Sequence, residues 1–213
     1  MAARFTLLLL AAALSLPASA TPAADAAAAL RVTRYLAGLD SLRAEFHQSV
    51  SDARGQVIEL SEGTMMLARP GRFRWNYRTP AQQIVCDGVT VWLYDIELEQ
   101  VTVKAADATL AGSPAMLLSG QGDVGEEFAI ADAGEEQGLS WSVLTPLHAD
   151  ADFREVRLGF DGLELRRMVL LDRLGQSTEL EFSGIEHNPK LDRSLFSFEP
   201  PPGVDVVGRV PAG

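Results

Sequence analysis

Leu67-Ala68-Arg69-Pro70-Gly71-Arg72-Phe73-Arg74-Trp75-Asn76-Tyr77 is a proline-glycine turn running into a strand. Successive side chains of a strand point to opposite faces, so Phe73, Trp75 and Tyr77 share one side, and Arg72, Arg74, Asn76 and Arg78 share the other. The segment is an aromatic wall with a polar back, and a wall of that kind needs further strands beside it.

Those strands follow on both sides. Upstream, Leu42, Ala44, Phe46, Gln48 and Val50 alternate with Arg43, Glu45, His47 and Ser49, predicting a strand that ends in a turn over 52–55. Further strands are predicted at 57–68, 72–78, 82–86, 89–94 and 99–104, then at 128–132, 139–145, 153–160, 163–171 and 176–187, with Asp161-Gly162 a hairpin signal. Ahead of them, Val32, Tyr35, Leu36 and Leu39 fall at i, i+3, i+4 and i+7, the stripe of an amphipathic helix. Between 105 and 120 the pattern changes. Ala108, Leu110, Ala111, Pro114, Met116, Leu117 and Leu118 form an apolar segment interrupted by glycine and proline, suited to one or two short helices. Such a segment is either a lid inserted into a sheet or a helix that simply covers the core. The tail from Phe196 to Val204, rich in proline, reads as extended chain. Many strands joined by short turns imply a strongly curved antiparallel sheet whose apolar concave face is filled by helices or ligand.

The first twenty residues bear on location. Arg4, the apolar run Leu7 to Leu16 and Ala18-Ser19-Ala20 have the layout of a secretory signal peptide, with cleavage expected near Ala20 and the mature chain starting at Thr21. The alternative, an uncleaved anchor, has too short an apolar run to cross a bilayer comfortably. In a bacterium this places the protein in the periplasm or beyond. Residues 21–213 are then expected to form one domain. Of 18 basic and 29 acidic residues, only Arg4 lies in the leader, so the mature formal charge is −12. That balance argues against general nucleic-acid binding, which depends on neutralising phosphates.

The search for catalytic groups is negative. Cys86, the single cysteine, excludes an intramolecular disulfide and lies in an apolar strand leading into Asp87-Gly88, where it reads as a buried structural thiol rather than an activated thiolate. His47, His148 and His187 form no short metal-ligand motif, and no Gly-x-Ser-x-Gly elbow or phosphate-binding loop occurs. No cofactor, no metal and no enzymatic activity are expected.

Two runs carry a resemblance: Gly63-Thr64-Met65-Met66-Leu67-Ala68-Arg69-Pro70-Gly71-Arg72-Phe73-Arg74-Trp75 and Ile84-Val85-Cys86-Asp87-Gly88-Val89-Thr90-Val91-Trp92-Leu93-Tyr94. With the opening helix, Phe46-x-Gln48, Gly112-Ser113-Pro114-Ala115-Met116-Leu117-Leu118 and the closing Phe196-x-Phe198-x-Pro200-Pro201, the chain resembles the periplasmic outer-membrane lipoprotein carrier family, LolA. The resemblance implies an incomplete (half-open) antiparallel β-barrel covered by short α-helices. It implies a carrier that takes lipoproteins from an inner-membrane lipoprotein-releasing ABC complex, shields their acyl chains and delivers them as a monomer to an outer-membrane receptor. It further implies that Arg69 gates the helical lid, where the residues alone also allow a plain turn arginine. By the same match Phe73, Trp75, Ile84, Trp92, Met116 and Leu118 form the acyl-chain surface. Ala115 and Leu93 stand where relatives often carry aromatics. A binding protein of the same architecture carrying another lipid or glycolipid is the alternative reading.

Overall fold

Thr21 caps the first helix: its hydroxyl accepts a hydrogen bond from the Ala24 N–H, and Pro22, whose missing donor costs nothing at a helix start, opens α1 (Pro22–Ala37). The computed structural model describes residues 21–106, 114–119, 123–148, 151 and 153–208. The leader therefore lies outside the described residues, as do 107–113 of the lid segment. Ala28, Val32, Tyr35 and Leu36 form the buried face of α1, and Leu39 just beyond it is also buried, so the predicted stripe is the face that packs. Gly38 closes the helix, its N–H donating to Arg34 O.

The strands are β1 (Ser41–Ser51), β2 (Val57–Ala68), β3 (Arg72–Thr79), β4 (Gln82–Asp87), β5 (Thr90–Asp95) and β6 (Gln100–Ala105). After a helical break come β7 (Phe128–Glu136), β8 (Leu139–Pro146), β9 (Phe153–Asp161), β10 (Glu164–Asp172), β11 (Ser177–His187) and β12 (Asp205–Gly208). Apart from β7, which runs four residues further than its apolar part, β1 to β11 lie within one residue of the sequence expectation at each end. The break holds α2 (Pro114–Ser119) and a single turn, α3 (Val124–Glu127), capped by the Asp123 carboxylate.

All twelve strands form one unclosed sheet in the order β12-β6-β5-β4-β3-β2-β1-β11-β10-β9-β8-β7. Neighbours are antiparallel except β12, which pairs parallel with β6. This is an incomplete barrel, mainly β, with short helices over one face. The chain's two halves meet where β1 joins β11, Phe46 opposite Phe182 and Gln48 opposite Leu180.

Register assigns the faces. Ala44, Met65, Trp75, Ile84 and Leu93 are successive cross-strand partners and share one side of β1 to β5; Leu42, Leu67, Phe73, Cys86 and Val91 make the adjacent row. These residues belong to the main core, together with α1, Leu118 and the inward residues of β8 to β11 such as Leu158, Met168 and Leu180. The opposite face carries a smaller cluster of Val85, Trp92, Val101 and Val103, covered by Phe198 and Val204 of the tail. The tail is thus not simply extended: a 3-10 turn over Arg193–Phe196 buries Phe196, and β12 finishes it. Nothing in Asp205–Gly208 announces a strand, since its four residues are all exposed and carry no apolar alternation.

Candidate functional site

Turn chemistry sets the position of Arg69. Residues 69–71 join β2 to β3 through a cis Arg69–Pro70 bond, and Gly71 takes φ +66°, a left-handed conformation that a Cβ would strain. The Arg69 N–H donates to Asp40 O at 2.8 Å, and Arg72 Nη2 donates to Arg69 O at 3.0 Å, so the main chain of Arg69 is tied on both sides.

Its side chain bridges two helix ends. Nε donates to Leu118 O of α2 at 3.1 Å, and Nη1 donates to Leu36 O in the last turn of α1. Gly71 N–H adds a third contact, donating to Ser119 O at 3.2 Å. The last carbonyls of a helix lack partners within it, and α2 is too short to leave many others. A guanidinium has several donors in a fixed fork and no acceptor, which suits it to hold two such ends at once. Burial lowers the Arg69 pKa from its ordinary value, while Tyr35 and the Asp40 carboxylate act in the opposite sense. The group remains a cation, and hydrogen bonds from a charged donor contribute about 1.5–3 kcal/mol.

The aromatic wall belongs to the same core as Leu36 of α1 and Leu118 of α2. Phe73 and Trp75 are buried, Ile84 is half-buried against the same core, and Leu118 of α2 is fully buried. Met116 is in α2, but its side chain lies outside the described residues. Trp92 does not join them. With a period of two, Val91 and Leu93 of β5 point to the lid side, and Trp92 points away, 6.2 Å between ring centroids from Phe198 on the other face. Leu93, singled out only as a departure from the aromatic pattern, holds the lid-side position.

Sequence reading understates Phe46 and Tyr77. Phe46 is fully buried, its ring centroid 4.9 Å from Trp75 and 5.0 Å from Tyr77, the latter edge to face. Gly63 makes room for it: a Cβ there would stand 3.0 Å from Phe46 Cε1 and 2.0 Å from Asn76 O. The alternation in β1 marks Phe46 as inward, but nothing local shows that it meets Trp75 across two strands. Beyond this aromatic group the same face turns polar. Tyr77 Oη donates to Gln48 Oε1 at 3.3 Å, and Ser61 Oγ donates to Glu59 Oε1 at 2.9 Å. Burial pushes the Tyr77 phenol pKa up, with the Glu59 carboxylate adding to the effect. The wall is therefore graded, apolar near the β2–β3 turn and hydrogen-bonding toward the opposite strand ends.

No cluster of His, Cys, Asp and Glu suited to a metal occurs among the described residues. Cys86 is buried on the wall, where burial raises its pKa to about 11, the opposite of an activated thiolate.

Comparison with known proteins agrees in fold and in sequence. The most similar solved structures include an uncharacterised conserved protein from Thermus thermophilus, aligned over 86% of this chain and 99% of that one with a TM-score of 0.55 and 14% identity, a likeness of fold. Sequence relatives are nearer. The outer-membrane lipoprotein carrier protein of Dechloromonas aromatica is 44% identical over 187 residues, 87% of this chain and 90% of the relative. That of Methylobacillus flagellatus is 42% identical over 176 residues, covering 82% and 86%. The model of the outer membrane lipoprotein carrier protein LolA family matches residues 37–199, which include Arg69, the wall and Phe198, and the chain belongs to that family.

Proposed function

We propose that this protein is a periplasmic carrier of outer-membrane lipoproteins, exported with cleavage near Ala20, whose wall of Phe73, Trp75, Ile84 and Leu118, with Met116 from α2, holds the acyl chains while Arg69 latches the lid. Trp92 is left out because it faces away from that wall. The observation that carries the reading is the Arg69 bridge from the β2–β3 turn to the ends of α1 and α2, whose Leu36 and Leu118 share one core with Phe73 and Trp75.

Magnitudes fit a carrier better than a permanent binder. Releasing the bond to α2 costs about 1.5–3 kcal/mol, whereas each buried methylene contributes about 0.8 kcal/mol. A few methylenes therefore offset opening, and the remainder of an acyl chain supplies affinity. The latch re-forms when the chains leave, so its closing energy favours handover. The carrier receives its cargo from an inner-membrane releasing complex and passes it to an outer-membrane receptor as a single copy, with no chemical step and no cofactor.

Lipoprotein release from energised inner-membrane vesicles tests this. The mature chain is expected to release a soluble one-to-one complex and pass its cargo to outer membrane. Arg69→Leu is expected to form the complex and fail at the second step, having lost the energy of re-closure. No release by either protein would sink the carrier role.

A further inference from the structure

Trp75 carries a donor that finds no acceptor among the described residues. Its indole Nε1–H is buried and unpaired, on a residue only 4% exposed. An indole nitrogen can only donate, and leaving such a group buried and unpaired costs about 1–3 kcal/mol. Phenylalanine would fill a purely apolar wall without that cost. The contrast with Trp141 is direct, because its Nε1–H donates to Glu136 O at 3.2 Å. The other unpaired buried side-chain atoms belong to Arg72, Asn76 and Arg157, which alternate to the far face of the sheet. Trp75 alone among them faces the lid side.

Among the described residues, its cross-strand row offers no polar side chain. Cross-strand neighbours in its row are Ala44, Met65, Ile84 and Leu93, and the rings of Phe46 and Tyr77 lie against it. Further toward the polar end, the hydroxyl of Tyr77, one row on, and Gln48, two rows on, are already engaged with each other. Trp75 thus lies between the apolar row of Leu67 and Phe73 and the row of Phe46 and Tyr77, which leads on to the hydrogen-bonding part of the wall.

We propose that Trp75 Nε1–H donates to an acyl carbonyl, ester or amide, of the bound lipid, and so fixes how deep the acyl chain enters. The proposal rests on the carrier reading and adds to it a chemical preference: the site recognises the carbonyl at the head of the chain as well as its methylenes. Lipid-linked glycerol then lies toward Tyr77, Gln48 and Ser61, and the tails lie toward Phe73 and Leu67.

Affinities of the mature protein for 1,2-dioctanoylglycerol and for its diether twin, 1,2-dioctylglycerol, test this in wild type and Trp75→Phe. Wild type is expected to prefer the ester by about tenfold, and the variant to lose that preference while still binding both lipids. An equal preference in both proteins, or none in wild type, overturns the proposal and leaves the carrier reading standing. Failure of wild type to bind either lipid overturns both. Should Trp75→Phe not fold, the wild-type indole ¹⁵N–¹H resonance of Trp75, assigned with Trp92→Phe and Trp141→Phe, decides instead. A downfield proton shift with the ester and not the ether supports the proposal, and an unmoved resonance overturns it.

Discussion

Cys86 shows how a residue without a catalytic part still leaves a mark on the protein's behaviour. Its thiol pKa is raised from 9.0 to about 11 by burial first and the neighbouring Asp87 carboxylate second, against a lowering hydrogen bond from Gly88 N–H. An acid whose pKa is higher folded than unfolded stabilises the fold below the unfolded value and loses that contribution as pH rises through the folded one. Between pH 9 and about 11 the unfolded chain has shed a proton that the folded chain keeps, so stability falls, by up to about 1.4 kcal/mol per pH unit for one group. Tyr35 and Tyr77, both pushed upward by burial, extend the fall to higher pH. Urea unfolding midpoints are expected to be flat in this respect from about pH 7 to 8.5 and to drop beyond it, with Cys86→Ala showing a shallower slope from about pH 9 to 10. An identical slope in the variant would remove Cys86 from the account. The thiol's inertness is legible in the sequence, since its neighbours are apolar, but its depth depends on Phe73 and Val91 across two strand pairings.

At the scale of elements, alternation is readable and partnership is not. The pattern in Phe73 to Tyr77 by itself marks both faces of β3, and the stripe of Val32, Tyr35 and Leu36 marks the buried face of α1. The family motif groups Trp92 with the wall, although the same parity rule sends Val91 and Leu93 to one side and Trp92 to the other. Its real partner, Phe198, lies more than a hundred residues away on a segment with no strand pattern of its own. The family resemblance implies that Arg69 holds a helical lid, but the residues alone do not give its partners: the acceptors, Leu36 O and Leu118 O, are main-chain atoms that no side-chain pattern marks. The position of Trp92 leads to a prediction. Phe198→Ala is expected to cost about 1–3 kcal/mol in chemical unfolding, because it uncovers Trp92 and Tyr94, while affinity for acyl lipid changes by less than about twofold. Loss of lipid affinity in a folded variant would return Trp92 to the binding surface.

The whole molecule must solve the problem of a sheet that never closes, for an open sheet has two edges with unpaired main-chain groups. One edge, β7, is guarded by charge and by α1: Asp132, Glu135 and Glu136 lie along it, and the Asp132 N–H donates to the Asp25 carboxylate of α1 at 2.8 Å. The other edge would be β6, with Val101 and Val103 among its residues, a strand able to pair with another copy. Here β12 intervenes, Asp205 to Gly208 pairing in parallel with Gln100 to Val103, and Asp205 N–H donating to Glu99 O at 2.9 Å. All four residues of β12 are exposed, so the strand buries little and adds little to folding stability; its physical contribution is to occupy the β6 edge. A chain ending at Val204 keeps the apolar strap over Trp92 and, among the described residues, loses this cover. Its unfolding free energy is expected to stay within about 1 kcal/mol of the full chain. Its mass by light scattering is expected to rise with concentration as β6 edges pair, whereas the full chain stays at the mass of one copy. Equal masses for the two chains at every concentration would mean that the edge of β6 is protected by its own twist and side chains, and that β12 has some other part in the molecule.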